Sequence, residues 1–395
     1  MDIERFKNSP IGQLVPVHVH DRRDDQYYDH FAYVPHPLPA TIPLSQATFT
    51  AINEATLALG RLDGMARLLP NPLLLVRPVI RREAVSTSAL EGTYAGVQDV
   101  FEADLLSDEA LAGDVREVRN YVRATEHALD LIRERPIGIN LLSQLQKMLV
   151  AGTRGDSYQA GAPRREQVWI DPKEARIHQS RFVPPPPGEP LEQGIRDWER
   201  WIHGQLSPTE DHDIPLLVRV IVGHYQFETL HPFHDGNGRI GRLLIALHLL
   251  AEGVLQVPIL YISPYLEPRR DEYTDHLRRV SETGDFEPWI EFFAEVLTKS
   301  ADDALGRIKA LLDTRERIVH ELRDQNVRGT AVQIAESLIG YPVVSPTQAA
   351  GQHGVAYPTA NNAIKRLVDA GVLTELTGRN YGRVFACIPV LRIIE

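Results

Sequence analysis

Sulfur is scarce in this chain: one cysteine, Cys387, stands among 395 residues. No internal disulfide can form and no cysteine-based zinc cluster exists, a usage that suits a reducing cytoplasm. No run of about 18 uncharged apolar residues occurs, so no membrane span is expected. The opening MDIERFKNSP is charged and lacks the apolar core of a secretory signal. There is no internal repeat. Positive charge is not in excess either, with 42 Lys+Arg against 53 Asp+Glu and a net charge of -11. That argues against a surface that grips nucleic acid throughout, while leaving room for a local basic face. What remains is ordinary globular composition, 43% hydrophobic and 24% charged, with length for two or three domains.

The first forty-odd residues carry scattered prolines and read as an extended arm. Helical periodicity begins at Ser45 and predicts helices over 45–60, about 78–91 and 114–133. Between Arg164 and Val183 the pattern changes. QVWI and RIHQSRFV are β-rich runs flanking the turn-like DPKEA, which predicts a hairpin closed by Pro184 to Pro187 and Gly188. Helix resumes near Leu191. The segments from Ile214 to Leu230 and RLLIALHLLAEG are apolar over most of their circumference, so both should be buried, the second ending at Gly253. An amphipathic helix is expected over about 272–299. From about Thr314, SPTQAAGQHG and TANNAIKRLVDAGVL read as a helix-turn-helix, and TELTGRNYGRVFAC as two β-rich runs, the outline of a winged helix. The expected fold is mostly α, a helical bundle with a small β-hairpin. Its predicted divisions are a helical region at 1–112, a core at 113–312 and a winged-helix-like domain at 313–395.

Between the two apolar helices lies His231-Pro232-Phe233-His234-Asp235-Gly236-Asn237-Gly238-Arg239-Ile240-Gly241-Arg242. Gly236, Asn237 and Gly238 tolerate positive φ and let backbone N–H groups converge on an anion. The helix that follows adds free N–H donors and the positive end of its dipole. Arg239 and Arg242, three apart, can reach one side of that terminus. Asp235 supplies a carboxylate for Mg²⁺, which is typically held by one or two carboxylates plus substrate phosphates. Neutral imidazole at His231 is the natural acceptor of a hydroxyl proton. Taken singly, each element is an ordinary turn or helix face; together they describe a phosphoryl- or nucleotidyl-transfer site. Reading His231, His234 and Asp235 as a zinc cluster fails for want of a distant ligand.

This run resembles, at every specified position, the HPFx(D/E)GNGRxxR signature of the Fic (filamentation induced by cAMP) family. The resemblance implies transfer of AMP from Mg·ATP to a Tyr, Thr or Ser hydroxyl of a target protein. It makes His231 the base, Asp235 the Mg²⁺ ligand, and Phe233, Gly236, Asn237, Gly238, Arg239 and Arg242 the nucleotide-binding set, with Arg242 on the γ-phosphate. His234 occupies the variable position. The segment 166–183 is similar to the family's flap, which places Gln167, Val168, Trp169 and Ile170 against an extended target segment by strand addition. Tyr273 would lie near the adenine. Upstream, Thr87-Ser88-Ala89-Leu90-Glu91-Gly92 fits the family's inhibitory pattern (S/T)xxxE(G/N), with Thr87, Glu91 and Gly92 at the specified places.

His18, His20 and Asp21 form an HxH-like run that reads as structural for lack of a further ligand. Two other functions compete with AMP transfer: a DNA-binding regulator with a nucleotide-dependent switch, and removal of AMP from a modified protein. In the recognition helix 358–370, Lys365 and Arg366 are the only cations, beside Asn361 and Asn362, a sparse set for phosphate contacts. The expected partners are ATP, Mg²⁺ and a protein target, which includes the chain itself. A homodimer and DNA contact through the C-terminal module are compatible with the sequence, and no membrane partner is expected.

Overall fold

The structure is a computed structural model, and it describes all residues except 22–24, 70, 171–175, 206–213 and 379–381. The chain opens with α1 (Ile3–Phe6), β1 (Gly12–Asp21) and β2 (Gln26–Pro35). α2 (Gln46–Arg67), α3 (Leu73–Leu90), α4 (Val97–Ala103), α5 (Gly113–Leu131), α6 (Ile139–Val150) and α7 (Glu189–Ile202) follow. Then come α8 (Leu216–Leu230), α9 (Asn237–Ala251), α10 (Ser263–Leu266), α11 (Arg270–Thr283) and α12 (Glu287–Asp324). The C-terminal stretch holds α13 (Thr330–Ser337), β3 (Val343–Val344), α14 (Pro346–His353), α15 (Tyr357–Asp369), β4 (Thr374–Glu375), β5 (Phe385–Ala386) and α16 (Ile388–Ile394). The mostly helical expectation holds, and no described helix is long and apolar enough to cross a membrane.

Two compact units divide the chain. The first comprises 1–58, 123–254 and 265–298; the second comprises 59–122, 255–264 and 299–395.

In the first unit the expected N-terminal arm is in fact a hairpin. β1 and β2 pair antiparallel from Gly12↔Pro35 to Asp21↔Gln26. Val15, Val17 and Val19 share one face of β1, and Pro16, facing Phe31, is tolerated because the sheet has only two strands. Val19, Ala32 and Tyr33 join Met1 and Phe6 in a core shared with Ile177, Phe182 and Val183, against which Trp169 and Ile170 pack. Ser45 caps α2, its Oγ accepting the Thr48 N–H at 3.2 Å. α8 is buried almost throughout, as its composition requires. Two indole N–H groups reach its carbonyls, Trp198 to Gly223 at 2.9 Å and Trp289 to Ile221 at 3.1 Å, so both rings are buried without an orphaned donor. The single helix expected over 272–299 is broken: α11 ends at Gly284, whose φ of 72° is readily adopted only by glycine.

In the second unit α3 begins at Leu73, five residues before the expected start, and carries Pro78 inside it. Glu83 is buried on α3, its carboxylate accepting the N–H groups of Ile262 at 3.0 Å and Ser263 at 2.9 Å. Gly340 approaches α3 so closely that a Cβ there would lie 2.6 Å from the Leu74 carbonyl oxygen. Arg77 stacks 4.2 Å above the Tyr341 ring. α16 packs on both α3 and α4. The helix-turn-helix expected near the C-terminus is α14 and α15, separated by Gly354 in the left-handed region (φ 62°), with Ser345 accepting from Gln348 N–H as N-cap. α15 buries Ala360, Ala363, Ile364 and Leu367, one helical stripe. The three short strands are antiparallel in the order β3-β5-β4. α12 runs through 312–314 without a break.

Candidate active site

The loop between α8 and α9 begins at His231, the C-cap of α8, in a left-handed conformation (φ 50°, ψ 60°). A non-glycine residue there costs about 1–3 kcal/mol, so neighbouring contacts must over-determine it. They do. Its N–H donates to Phe227 O at 3.0 Å, and its carbonyl accepts from Arg164 Nε at 2.9 Å. Pro232 O accepts the Arg164 N–H at 2.8 Å. Phe233 is fully buried beside Phe227, and the Asn237 amide brackets its main chain, Oδ1 accepting from Phe233 N and Nδ2 donating to Phe233 O, both at 2.8 Å. This clamp turns the chain from one buried helix into the next. Gly236, with φ 83°, completes the turn; a Cβ there would sit 2.9 Å from Leu149 Cδ2.

Asp235 is held from three sides. Its Oδ1 accepts from Gly236 N at 2.5 Å and Arg239 Nη2 at 3.3 Å, and its main-chain oxygen accepts Gln146 Nε2 at 3.0 Å. On the Oδ2 side Gly155 comes so near that a Cβ would lie 2.3 Å away. The side chain keeps 34% exposure, whereas Arg239 and Arg242 are almost wholly buried in the first turns of α9. His234 is exposed. Gly241 lets α9 close on α8, since a Cβ would meet Glu228 Oε1 at 2.1 Å. The arrangement therefore joins a helix N-terminus, two arginines, one partly open carboxylate and one imidazole-bearing cap, all suited to a polyphosphate and a proton acceptor.

Behind the loop, His224 of α8 shares a 2.8 Å hydrogen bond with the Tyr273 hydroxyl. Burial, and then the charge of Arg242, push the His224 imidazole down to about 3, so it stays neutral. Tyr273 is itself 4% exposed and lies 5.9 Å from the Trp289 ring. Sequence reasoning missed His224, although a lone histidine in an apolar helix was a usable signal. It also missed Arg164 and Gln146, for which no local pattern exists.

The flap is short. Ile170 and Phe182 form one antiparallel bridge, Ile170 N donating to Phe182 O at 2.8 Å while Ile170 O accepts the Arg181 N–H at 3.0 Å. Gln167 Nε2 donates to Val168 O and Pro184 O, each at 2.9 Å. Trp169 packs toward the N-terminal hairpin core, and the expected turn 171–175 lies outside the described residues.

Thr87, Glu91 and Gly92 belong to the second unit. Thr87 is fully buried on α3, Glu91 is the C-cap (φ -94°), and Gly92 leaves the helix at φ 79°. His18 Nδ1 meets Asp29 at 2.7 Å and His20 Nε2 meets Asp25 at 2.8 Å, with both rings against Tyr27. No group of three metal-ligating side chains occurs among the described residues.

Two buried helices joined by a clamped glycine-rich loop form the heart of this helical domain. Residues 49–130 match the model of the Fic/DOC family N-terminal region, and residues 136–249 match that of the Fic/DOC family itself. Residues 49–249 thus carry the two regions that the Fic/DOC family models describe. It is 26% identical over 211 residues to the protein adenylyltransferase Fic of Drosophila yakuba, covering 53% of this chain and 38% of that protein. To the protein adenylyltransferase fic-1 of Caenorhabditis elegans it is 30% identical over 158 residues, covering 40% and 27%. The chain thus spans well under half the length of these curated relatives. A crystal structure of a Fic family protein from Desulfovibrio desulfuricans G20 shares the fold, with TM-score 0.57 and 20% identity over 88% of this chain and 97% of that one.

Proposed function

We propose that this chain transfers AMP from Mg·ATP to a hydroxyl side chain of a target protein. The observation that carries the reading is the loop 231–242: the left-handed His231 cap, the Asn237 clamp and the N-terminus of α9 with Arg239 and Arg242 lie within twelve consecutive residues. His231 takes the proton of the attacking hydroxyl. The new bond joins that oxygen to the α-phosphorus, the bond to the β-phosphate bridging oxygen breaks, and pyrophosphate leaves. Gly236 shapes the turn and orients Asp235 through its N–H, Asn237 and Gly238 offer main-chain N–H groups to the phosphates, and Arg239 and Arg242 their guanidinium groups. Phe233, buried beneath the loop, keeps its shape.

Asp235 suits Mg²⁺ shared with phosphates: one partly exposed carboxylate, oriented by its own loop, is the donor set that ion accepts. Bound there, Mg²⁺ would neutralise phosphate charge. Gln167 to Ile170 present the flap strand to a target segment, and Tyr273 stands behind the nucleotide region through His224. Thr87, Glu91 and Gly92 form the inhibitory helix end, with Glu91 as its acting carboxylate. The C-terminal elements from α13 to α16 are a winged helix whose exposed Asn362, Lys365 and Arg366 face outward for a nucleic-acid or protein partner. The setting is the cytoplasm, where Mg·ATP is supplied.

The test is incubation with Mg²⁺ and ATP labelled at the α- or the γ-phosphate, alone and with lysate. Protein-bound label from α-labelled ATP only is expected. Retention of γ-label on protein, or no α-label from both wild type and Glu91→Gly, overturns the proposal.

A further inference from the structure

Arg164 is a buried cation in unusual company. Only 2% of the residue is exposed, yet among the described residues its side-chain hydrogen-bond partners are four main-chain carbonyls and no carboxylate. Nε donates to His231 at 2.9 Å, Nη1 to Glu166 at 3.4 Å, and Nη2 to Pro185 at 2.5 Å and Leu230 at 3.4 Å. The Arg164 N–H adds a bond to Pro232 O at 2.8 Å. Burial lowers the guanidinium to about 9, which leaves it charged at neutral pH. Burying a charge without a counter-charge is costly, so what the residue provides must be something a neutral side chain lacks. The planar fork provides it: five donors in fixed geometry, against the single rotating point of a lysine ammonium.

The four carbonyls come from three stretches. Leu230 and His231 end α8, Glu166 begins the flap, and Pro185 follows its return strand. One rigid group therefore ties the residue expected to act as base to both feet of the hairpin expected to hold the target. His231 needs such a tie, because its left-handed backbone is not self-supporting. The nucleotide side of the loop is built separately, by the Asn237 clamp and the Gln146 bond to Asp235, neither of which involves Arg164.

We propose that Arg164 is a positioning residue that sets the distance and angle between His231 and the target-bearing flap, while leaving nucleotide binding alone. This rests on the reading of His231 as base and the flap as target site. A displacement of about 1 Å between reacting groups can cost about 10²-fold in rate. The full chain with Arg164→Lys, which keeps the charge but not the fork, and with Arg164→Met, which keeps neither, separates geometry from charge.

Expected for both variants is a fall of about 10²-fold in transfer kcat. ATP KM and nucleotide affinity should be unchanged, and target KM raised. Wild-type kcat in Arg164→Lys overturns the proposal. So does a parallel loss of nucleotide affinity, because a merely structural residue would loosen the whole domain. Amide exchange supplies a readout free of activity. Faster exchange in Arg164→Lys confined to 166–170, 182–185 and 230–233 supports the joint; unchanged or uniformly faster exchange overturns it. If the wild type transfers no AMP, the proposed function fails, and exchange alone decides the role of Arg164.

Discussion

Asn237 holds Phe233 by both ends of its peptide main chain, accepting from its N–H and donating to its C=O at 2.8 Å each. A primary amide presents the acceptor and the donor side by side, as this bracket requires. Asn237→Ala leaves two buried main-chain groups unpaired, at about 1–3 kcal/mol each. Asn237→Asp keeps an acceptor for the N–H but sets a carboxylate against the carbonyl oxygen. We expect urea unfolding to show both variants destabilised, and nucleotide affinity reduced. Wild-type stability in Asn237→Asp would remove the clamp from the account.

The base is tested by His231→Ala. Loss of a general base is worth about 10²–10⁴-fold in rate, so label transfer should fall by that factor while the folded protein still binds ATP. Unchanged transfer would show that another group takes the proton.

Asp235 and His234 are neighbours with opposite expected importance. Asp235 is oriented by Gly236 and Arg239, whereas His234 is exposed. Asp235→Ala should raise the Mg²⁺ concentration needed for transfer, and His234→Ala should follow the wild-type titration. A severe defect in His234→Ala alone would restore the metal-cluster alternative.

Glu91 sits at a helix cap, followed by a glycine at φ 79°, so Glu91→Gly is compatible with the local backbone. If the carboxylate restrains the γ-phosphate ligand, its removal should raise AMP transfer, by up to about 10²-fold for a misalignment of about 1 Å. The Glu91→Gly, His231→Ala double variant should be inactive. Equal labelling by wild type and a well-folded Glu91→Gly protein sinks the inhibitory role.

Stability should fall with acid for a nameable reason. His224 is pushed down to about 3 and His248 to about 4, in each case by burial first. Between those values and the ordinary imidazole value of about 6.5, the unfolded chain binds protons that the folded chain does not, so stability rises with pH through that window and is level above it. Each imidazole costs about 2 kcal/mol at pH 5 relative to pH 7. Urea titrations at both values should show this for the wild type and a smaller difference for the His224→Gln, His248→Gln pair. An identical difference in that pair would place the acid sensitivity elsewhere.

The conformation of loop 231–242 was legible because its determinants are local: glycine conformations, a helix terminus and two arginines one turn apart. α8 and α9 were legible for a similar reason, as burial on all sides leaves a compositional mark. The N-terminal hairpin was not, because its strands alternate imperfectly and a proline interrupts β1. α3 was misjudged at its start, since Pro78 reads as a first-turn residue although the helix already runs from Leu73. Arg164 and Gln146 were invisible, because their value lies in carbonyls and amides dozens of residues away.

The two units also differ in when they can be finished. Every segment of the first lies before residue 299, whereas the second needs 299–395 to close around α3, through Gly340 against Leu74, Tyr341 against Arg77, and α16. A ribosome adding about 5–20 residues per second takes roughly 5–20 s over that stretch. The first unit is therefore fully translated while α3 still lacks its C-terminal packing partners. Order of synthesis thus places every segment of the unit holding loop 231–242 ahead of the segments that close around α3.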